Sequence, residues 1–327
     1  MEEEATKYIR LIELATQAPS GHNTQPWIFT IQENQITIEP DFSRALPVVD
    51  GNHRELYISL GCAAENLCIA ASAAGYQTKV GIATRNDTER VIQITLHKAT
   101  DVQPSPLFPF IGKRQMNRQT YNGNKILDLF LDKLETVQTE ADTQLYFFEN
   151  DSPQFEALRP YILEGNKRQM NDQAFKEELK SWMRFNKKHS EATHDGLSYA
   201  VFGAPDLPAF ISKTIMSSVL NSRIQNKGDN KKINSSSHFV LFTTRNNSIE
   251  NWITSGRTLQ RFLLTASKEG IACAFFNQPC EVKELADKIQ ETFPINKEYP
   301  ILLLRLGYAK AAPYSSRRNV TDVIRNG

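Results

Sequence analysis

Cysteine is scarce in this chain of 327 residues: Cys62, Cys68, Cys273 and Cys280 are all there are, they form no Cys-x-x-Cys pair, and their spacing with the six histidines suggests no metal site. Neither a disulfide framework nor a zinc centre is indicated, and reduced, buried thiols are the expectation. Long apolar runs are missing as well. The best candidate, Leu56 to Gly75, is interrupted by Glu65 and Asn66 and falls short of the roughly 20 apolar residues that span a bilayer. The opening Met1-Glu2-Glu3-Glu4 lacks the apolar core of a secretory signal, so the expected location is the cytoplasm. No charge sign dominates, since 38 Lys plus Arg face 37 Asp plus Glu, and no overall field draws the chain to nucleic acid or an anionic membrane. Gly-x-Gly-x-x-Gly, Gly-x-x-x-x-Gly-Lys and Gly-x-Ser-x-Gly are all absent, which argues against a Rossmann dinucleotide fold, a P-loop and a serine hydrolase. What remains is a globular chain, 40% hydrophobic, large enough for one big domain or two smaller ones.

The most informative stretch that is present runs Ala18-Pro19-Ser20-Gly21-His22-Asn23-Thr24-Gln25-Pro26-Trp27. Before it, apolar positions at Tyr8, Ile9, Leu11, Ile12, Leu14 and Ala15 predict an amphipathic helix over 2–17, stopped by Pro19. After it, 26–31 reads as a strand, and 35–39 hairpins back through Glu33-Asn34. The loop between holds a hydroxyl, two carboxamides and Gly21, whose freedom to take φ > 0 turns backbone amides toward a ligand. Ordinary turns share that composition. His22 reads as a surface residue before it reads as a base.

Further along, 54–75 reads as a buried central helix, its small residues allowing close helix approach. A strand over 91–97 follows, and Pro104-Ser105-Pro106-Leu107-Phe108-Pro109 marks a boundary. Gly61 to Gly75 can be laid without gaps on Gly256 to Gly270, with Leu67 on Phe262, Ile69 on Leu264, Ala71 on Ala266 and Ser72 on Ser267. Strands over 238–243 and 300–307 flank the second copy, so each half reads strand, helix, strand. The polar region 163–234 is too long for a simple connection and is either a lid or a peripheral helical excursion, with 180–185 and 209–220 helical.

Two arginine blocks complete the inventory. In Gly112-Lys113-Arg114-Gln115-Met116-Asn117-Arg118-Gln119-Thr120-Tyr121, a helix would set Arg114 and Arg118 on one face, where guanidinium forks hold a phosphate. Ser315-Ser316-Arg317-Arg318-Asn319 offers two more. Four arginines suit a phosphomonoester better than a dinucleotide, although most surface arginines are only solvated charge.

Ala-Pro-Ser-x-x-Asn-x-Gln-Pro-Trp resembles the signature of the nitroreductase family of flavoproteins, and Arg-x-x-x-Arg is similar to that family's FMN-phosphate segment. The resemblance implies an α+β nitroreductase-like fold, a central mixed or antiparallel sheet packed by long helices. It implies FMN, with Arg114, Arg118, Arg317 and Arg318 at the phosphate and Ser20, Gly21, Asn23 and Gln25 near the ring; Asn117, Lys232, Ala274 and Phe275 are further candidate contacts. With the loop and the arginine block each present once, the layout resembles the Acg-like branch, fused pseudo-dimers. The halves would be 1–110 and 111–327, the second carrying the lid 163–234, in a monomer or homodimer. The activity implied is ping-pong transfer from NADH or NADPH to a small-molecule substrate, a nitroaromatic, quinone or similar acceptor, with no obligatory protein acid or base because flavin N5 carries the hydride. The sequence departs from the pattern at Met116, where a hydroxyl is common, and at Phe275-Phe276, in place of a glycine-rich turn. A flavin-storing protein with little reductase activity is therefore the alternative, and a globular protein without cofactor the third reading.

Overall fold

The computed structural model describes residues 2–86, 89–140, 142–218 and 220–325, so Met1 and Val219 lie outside the described residues. In chain order the elements are α1 (Glu2–Ala15), β1 (Trp27–Gln32), β2 (Gln35–Pro40), α2 (Arg54–Ala73), β3 (Tyr76–Asn86) and β4 (Glu89–Lys98). Then come α3 (Asp128–Glu135), β5 (Thr143–Glu149), α4 (Pro153–Asn171), α5 (Gln173–Ser181), β6 (Met183–Arg184), α6 (Lys187–Thr193), β7 (Leu197–Ser198), α7 (Ala209–Ser218) and α8 (Ser222–Asn234). The chain closes with β8 (His238–Thr244), α9 (Ile249–Lys268), β9 (Ala272–Phe275), α10 (Gln278–Glu281), α11 (Lys283–Thr292), β10 (Tyr299–Gly307) and β11 (Ile324–Arg325). The class is α+β, with mostly antiparallel sheets.

The chain forms two compact units that interleave in sequence: Met1–Arg114, Ser248–Thr265 and Ser316–Gly327 make the first, Gln115–Asn247 and Ala266–Ser315 the second. In the first unit the sheet order is β11-β1-β2-β4-β3, and only the β1–β11 pair is parallel. Tyr8, Leu11, Ile12 and Ala15 of α1 are buried at helical spacing, and Phe29, Ile36, Ile38, Ile92 and Ile94 bury alternate strand positions. In the second unit the order is β5-β8-β10-β9, all antiparallel. Its core joins Phe155 and Ile162 of α4 to Phe239 and Leu241 of β8 and Leu303 of β10.

Aligned by order, β5, β8, β10 and β9 correspond to β1, β2, β4 and β3, with α2 and α9 in the same place between the second strand and the third. Where β1 and β2 are joined by a two-residue turn, with Glu33 at φ 51°, the second sheet carries all of 150–237, α4 to α8, between β5 and β8.

The helices α2 and α9 meet inside the first unit, and their contact is reciprocal. A Cβ on Gly61 would lie 2.0 Å from the Ile253 carbonyl oxygen, and one on Gly256 2.1 Å from the Ile58 carbonyl oxygen. Each glycine is thus required by the other helix's backbone. The polar pairs exchange in the same register: Arg261 Nε donates to Glu65 Oε1 at 2.7 Å, and Gln260 Nε2 donates to Asn66 Oδ1 at 2.6 Å. Residue i on one helix therefore plays the part of i+195 on the other, the register in which Gly61–Gly75 matches Gly256–Gly270 in sequence. An isologous interface has this property, and here one chain supplies both sides. Arg257 also reaches Glu65, at 2.9 Å.

Several local expectations change. The helix predicted over 180–185 ends at Ser181; Arg184 is drawn to buried Asp195 at 2.6 Å, and Leu197 N–H donates to the Trp182 carbonyl at 2.8 Å, opening the short β6–β7 ribbon. The segment 112–121 is not helical, so Arg114 and Arg118 do not share a helix face. The segment after α9, where the sequence departs from the family's glycine-rich turn, is a strand, β9, and the edge strand β3 and the returning β11 were not foreseen. Among the described residues α2 alone is long and apolar enough to cross a membrane, and most of it is buried.

Candidate functional site

The site is built where α1 runs out. Pro19 prevents continuation, and the carbonyls of Thr16, Gln17 and Ala18, at the negative end of the helix, lack the next turn's amides. Two guanidiniums take them. Arg317 Nε donates to Thr16 O at 2.9 Å and Nη2 to Gln17 O and Ala18 O, each at 3.3 Å, while Arg114 Nη2 donates to Gln17 O at 2.9 Å. Arg114 is buried and Arg317 half-buried. Burial, then the like charge of Arg114, pushes Arg317 down to about 9.

The polar loop wraps around this pair. Gln25 N–H donates to Ser20 Oγ at 2.9 Å, closing the turn. Asn23 bridges to the C-terminal segment, donating to Ser316 O at 3.2 Å and accepting from Arg317 Nη1 at 3.1 Å. Arg318 N–H donates to Gln25 Oε1 at 2.9 Å. The C-terminal segment then pairs as β11 beside β1, so residues almost 300 apart in sequence share one loop. The left-handed φ expected at Gly21 falls instead on His22, Asn23 and Gln25, at 48°, 56° and 54°. Three such residues in four positions hold strained backbone that the surrounding hydrogen bonds over-determine. Gly21 sits in tight space: a Cβ there would lie 3.1 Å from Leu46 Cδ1 and 3.4 Å from Glu55 Oε2, side-chain ends that would have to shift by a few tenths of an ångström.

Under the loop lies a small cavity of about 10 Å³, lined among others by Gly21, Thr24, Arg44, Asp50 and Glu55, room for about one water. Arg44 Nε holds the Thr24 carbonyl at 2.5 Å. Asp50 caps α2, accepting Glu55 N–H and Leu56 N–H at 2.9 Å each. Burial, then the charge of Glu55, raises its carboxyl to about 7 despite those two donors. The charged lining residues Arg44, Asp50 and Glu55 did not stand out in the sequence, because single charges carry no spacing.

The other predicted residues are distributed as follows. The Arg318 guanidinium donates to Asp322 O at 2.7 Å. Asn117, Arg118, Lys232, Ala274 and Phe275 belong to the second unit. Asn117 is buried and spends its amide on Lys310 O at 2.7 Å. Lys232 pairs with buried Asp229 at 2.9 Å. Ala274 and Phe275 lie in β9, paired with Arg305 and Leu304 of β10. The first unit therefore joins Arg114, Arg317, Ser20, Asn23 and Gln25, with the Arg318 backbone, and Arg118 is not part of that group.

An α+β chain with buried cations gathered at a helix end, under a strained carboxamide loop, is the class defined so far. Matches to known proteins refine it. No protein-family model matches. The chain is 21% identical over 324 residues to a Mycobacterium tuberculosis protein named "Putative NAD(P)H nitroreductase Rv3131", covering 96% of this chain and 90% of that one. It is 22% identical to "Putative NAD(P)H nitroreductase acg" of the same species, covering 96% and 93%. Among solved structures, the FMN-dependent nitroreductase NfnB of Mycobacterium smegmatis in complex with NADPH aligns at TM-score 0.42 and 12% identity, over 66% of this chain and 95% of its own. A Desulfovibrio desulfuricans protein described as "a putative nitroreductase in complex with fmn" aligns at 0.37 and 12%, over 67% and 95%. The chain thus resembles Acg-like nitroreductases along almost its full length.

Proposed function

We infer that the chain binds FMN and serves as an oxidoreductase of nitroreductase type, taking electrons from NADH or NADPH and passing them to a nitroaromatic, quinone or similar acceptor in ping-pong fashion. One observation carries the reading: Arg114 and Arg317 are held together against the end of α1 although their charges repel. Two partly desolvated guanidiniums on neutral carbonyls gain most from a dianion, and a phosphomonoester fits the bidentate fork.

The donor set suits the cofactor. Arg114 and Arg317 would hold its phosphate. Ser20, Asn23 and Gln25 act one step back, fixing the loop so that backbone faces the ligand, since Gln25 is wholly buried. Bound FMN supplies the hydride carrier, and the protein supplies orientation and fixed positive charge. The reciprocal α2–α9 contact and the matching strand orders support a fused pseudo-dimer.

The test is direct. Purified protein should be yellow and release FMN on denaturation; NADPH or NADH should bleach it and a nitro compound restore the colour. Flavin that is bound but never reduced would replace the enzyme by a flavin store, and colourless protein unable to take up FMN would end both readings.

A further inference from the structure

The apolar side chains that the second unit leaves in water gather in one stretch. Among the described residues of the chain twelve large apolar side chains are exposed, and five of them, Phe202, Phe210, Ile211, Ile215 and Ile224, fall within 202–224. Helix α7 is turned inside out. Phe210 is 73% and Ile215 48% exposed, whereas Ser212 is buried and donates to the Leu207 carbonyl at 3.4 Å. Apolar residues scattered singly over a surface need no explanation, but a helix that buries its serine and presents a phenylalanine and two isoleucines does.

Helix α8 follows after three residues and is held by one side. Asn226 and Asp229 accept from the Asn166 amide of α4 at 3.0 and 2.9 Å, and Ile233 is buried in the same core as α4. Ile224, Lys227 and Lys231 are exposed at the spacing of a single stripe, with Arg223 beside them. Ile224 stands at the α7 end of that stripe and continues the apolar surface into it. Lys213, Arg223, Lys227 and Lys231 are all exposed, and among the described residues none of them pairs with a carboxylate. The one acid in 209–234 is Asp229, which is buried and already taken by Lys232 at 2.9 Å. Asp206, ahead of α7, accepts Lys187 N–H at 2.9 Å. The exposed charge of α7 and α8 is therefore wholly positive, in a chain whose 38 cations and 37 anions otherwise balance.

We propose that α7 and α8 form a docking surface for an anionic lipid bilayer, with Phe210, Ile211 and Ile215 entering the headgroup boundary and Arg223, Lys227 and Lys231 lying against the lipid phosphates. With ten residues, α7 rests on a bilayer and does not cross it, which takes roughly 20. Folded protein surfaces intersperse both signs of charge, whereas an anionic leaflet presents only one, and so does this face. The surface shares no residue with the candidate flavin site.

Co-sedimentation of the full-length protein with vesicles tests the proposal, using pure phosphatidylcholine and equimolar phosphatidylcholine and phosphatidylglycerol. The native chain should pellet with the mixed vesicles and stay in solution with the neutral ones, and the bound fraction should fall as salt is raised. Arg223→Gln/Lys227→Gln should weaken binding roughly 30-fold, and Phe210→Ser/Ile215→Ser about tenfold or more. Lys79→Gln/Lys283→Gln, which removes the same charge from exposed positions elsewhere, should change it far less. All the substituted side chains are exposed, so far-UV circular dichroism and FMN content should match the native chain. Failure of the native chain to bind the mixed vesicles, or equal losses in the two cation pairs, would overturn the proposal. So would a dimer in sedimentation equilibrium that Phe210→Ser/Ile215→Ser splits while vesicle binding is unchanged, which would assign the surface to a second copy of the chain.

Discussion

The two sheets share a strand order but not a chemistry. In the first, β1 and β2 are joined by two residues and the stretch before β1 carries the Pro-Ser-Gly loop. In the second, the same hairpin position has received α4 to α8, and the stretch between α3 and β5 contains no proline, glycine or asparagine. Strand order is therefore no guide to where a ligand binds. The difference lies in the connections, which is where a scaffold of shared topology is free to vary.

Breaking the reciprocal contact should have the largest effect. Gly61→Ala and Gly256→Ala each put a methyl within about 2 Å of a backbone carbonyl that cannot retreat, so each should cost roughly 3 kcal/mol or more in urea unfolding, at the upper end for overpacking. Similar losses in both would support the i/i+195 symmetry; a tolerant member would break it. The polar half of the contact sharpens the same point. Glu65→Ala leaves Arg257 and Arg261 without their buried carboxylate and should cost about 3 kcal/mol, whereas Gln260→Ala, at the neutral position that matches Glu65 in this register, should cost about 1 kcal/mol. Equal costs would mean that the ionic version gained nothing over the neutral one.

A smaller effect belongs to pH. Asp50 has a folded value near 7, above its ordinary 3.8, so the unfolded chain ionises first as pH rises. Its contribution to stability is greatest at low pH, falls between about 4 and 7, and is level beyond. Asp50→Asn keeps one capping oxygen and should flatten that part of the stability–pH curve, measured by denaturant midpoints at fixed m. A curve of unchanged slope would show that other groups carry the dependence.

Much of the first unit was legible because its signals are local. The spacing of Tyr8, Leu11, Ile12 and Ala15, the Glu33-Asn34 turn and the small residues of α2 each specify an element on their own. The resemblance of the loop at 18–27 was legible for the same reason. What could not be read depends on distant residues. Arg114 and Arg118 sit four apart and suggest a helix face, yet Arg114 turns to the end of α1 while Arg118 falls in the second unit, because 112–121 follows neighbouring chain instead of its own propensity. The pairing of β11 with β1 rests on two residues of a C-terminal segment with little strand pattern. Arg305 did leave a trace, a lone charge inside Leu302-Leu303-Leu304-Arg305-Leu306, whose burial calls for the carbonyls of Asn117 and Gln119 that it reaches.

The central claim is that the first unit's arginine pair receives the FMN phosphate. Titrating FMN into the cofactor-free protein, read by quenching of flavin fluorescence, tests it most directly. One FMN should bind per chain, and Arg317→Gln should weaken it by about 2 to 3 kcal/mol, roughly 30- to 150-fold, with unchanged far-UV circular dichroism. Equal affinity in Arg317→Gln, or no binding by the native chain, would contradict the account.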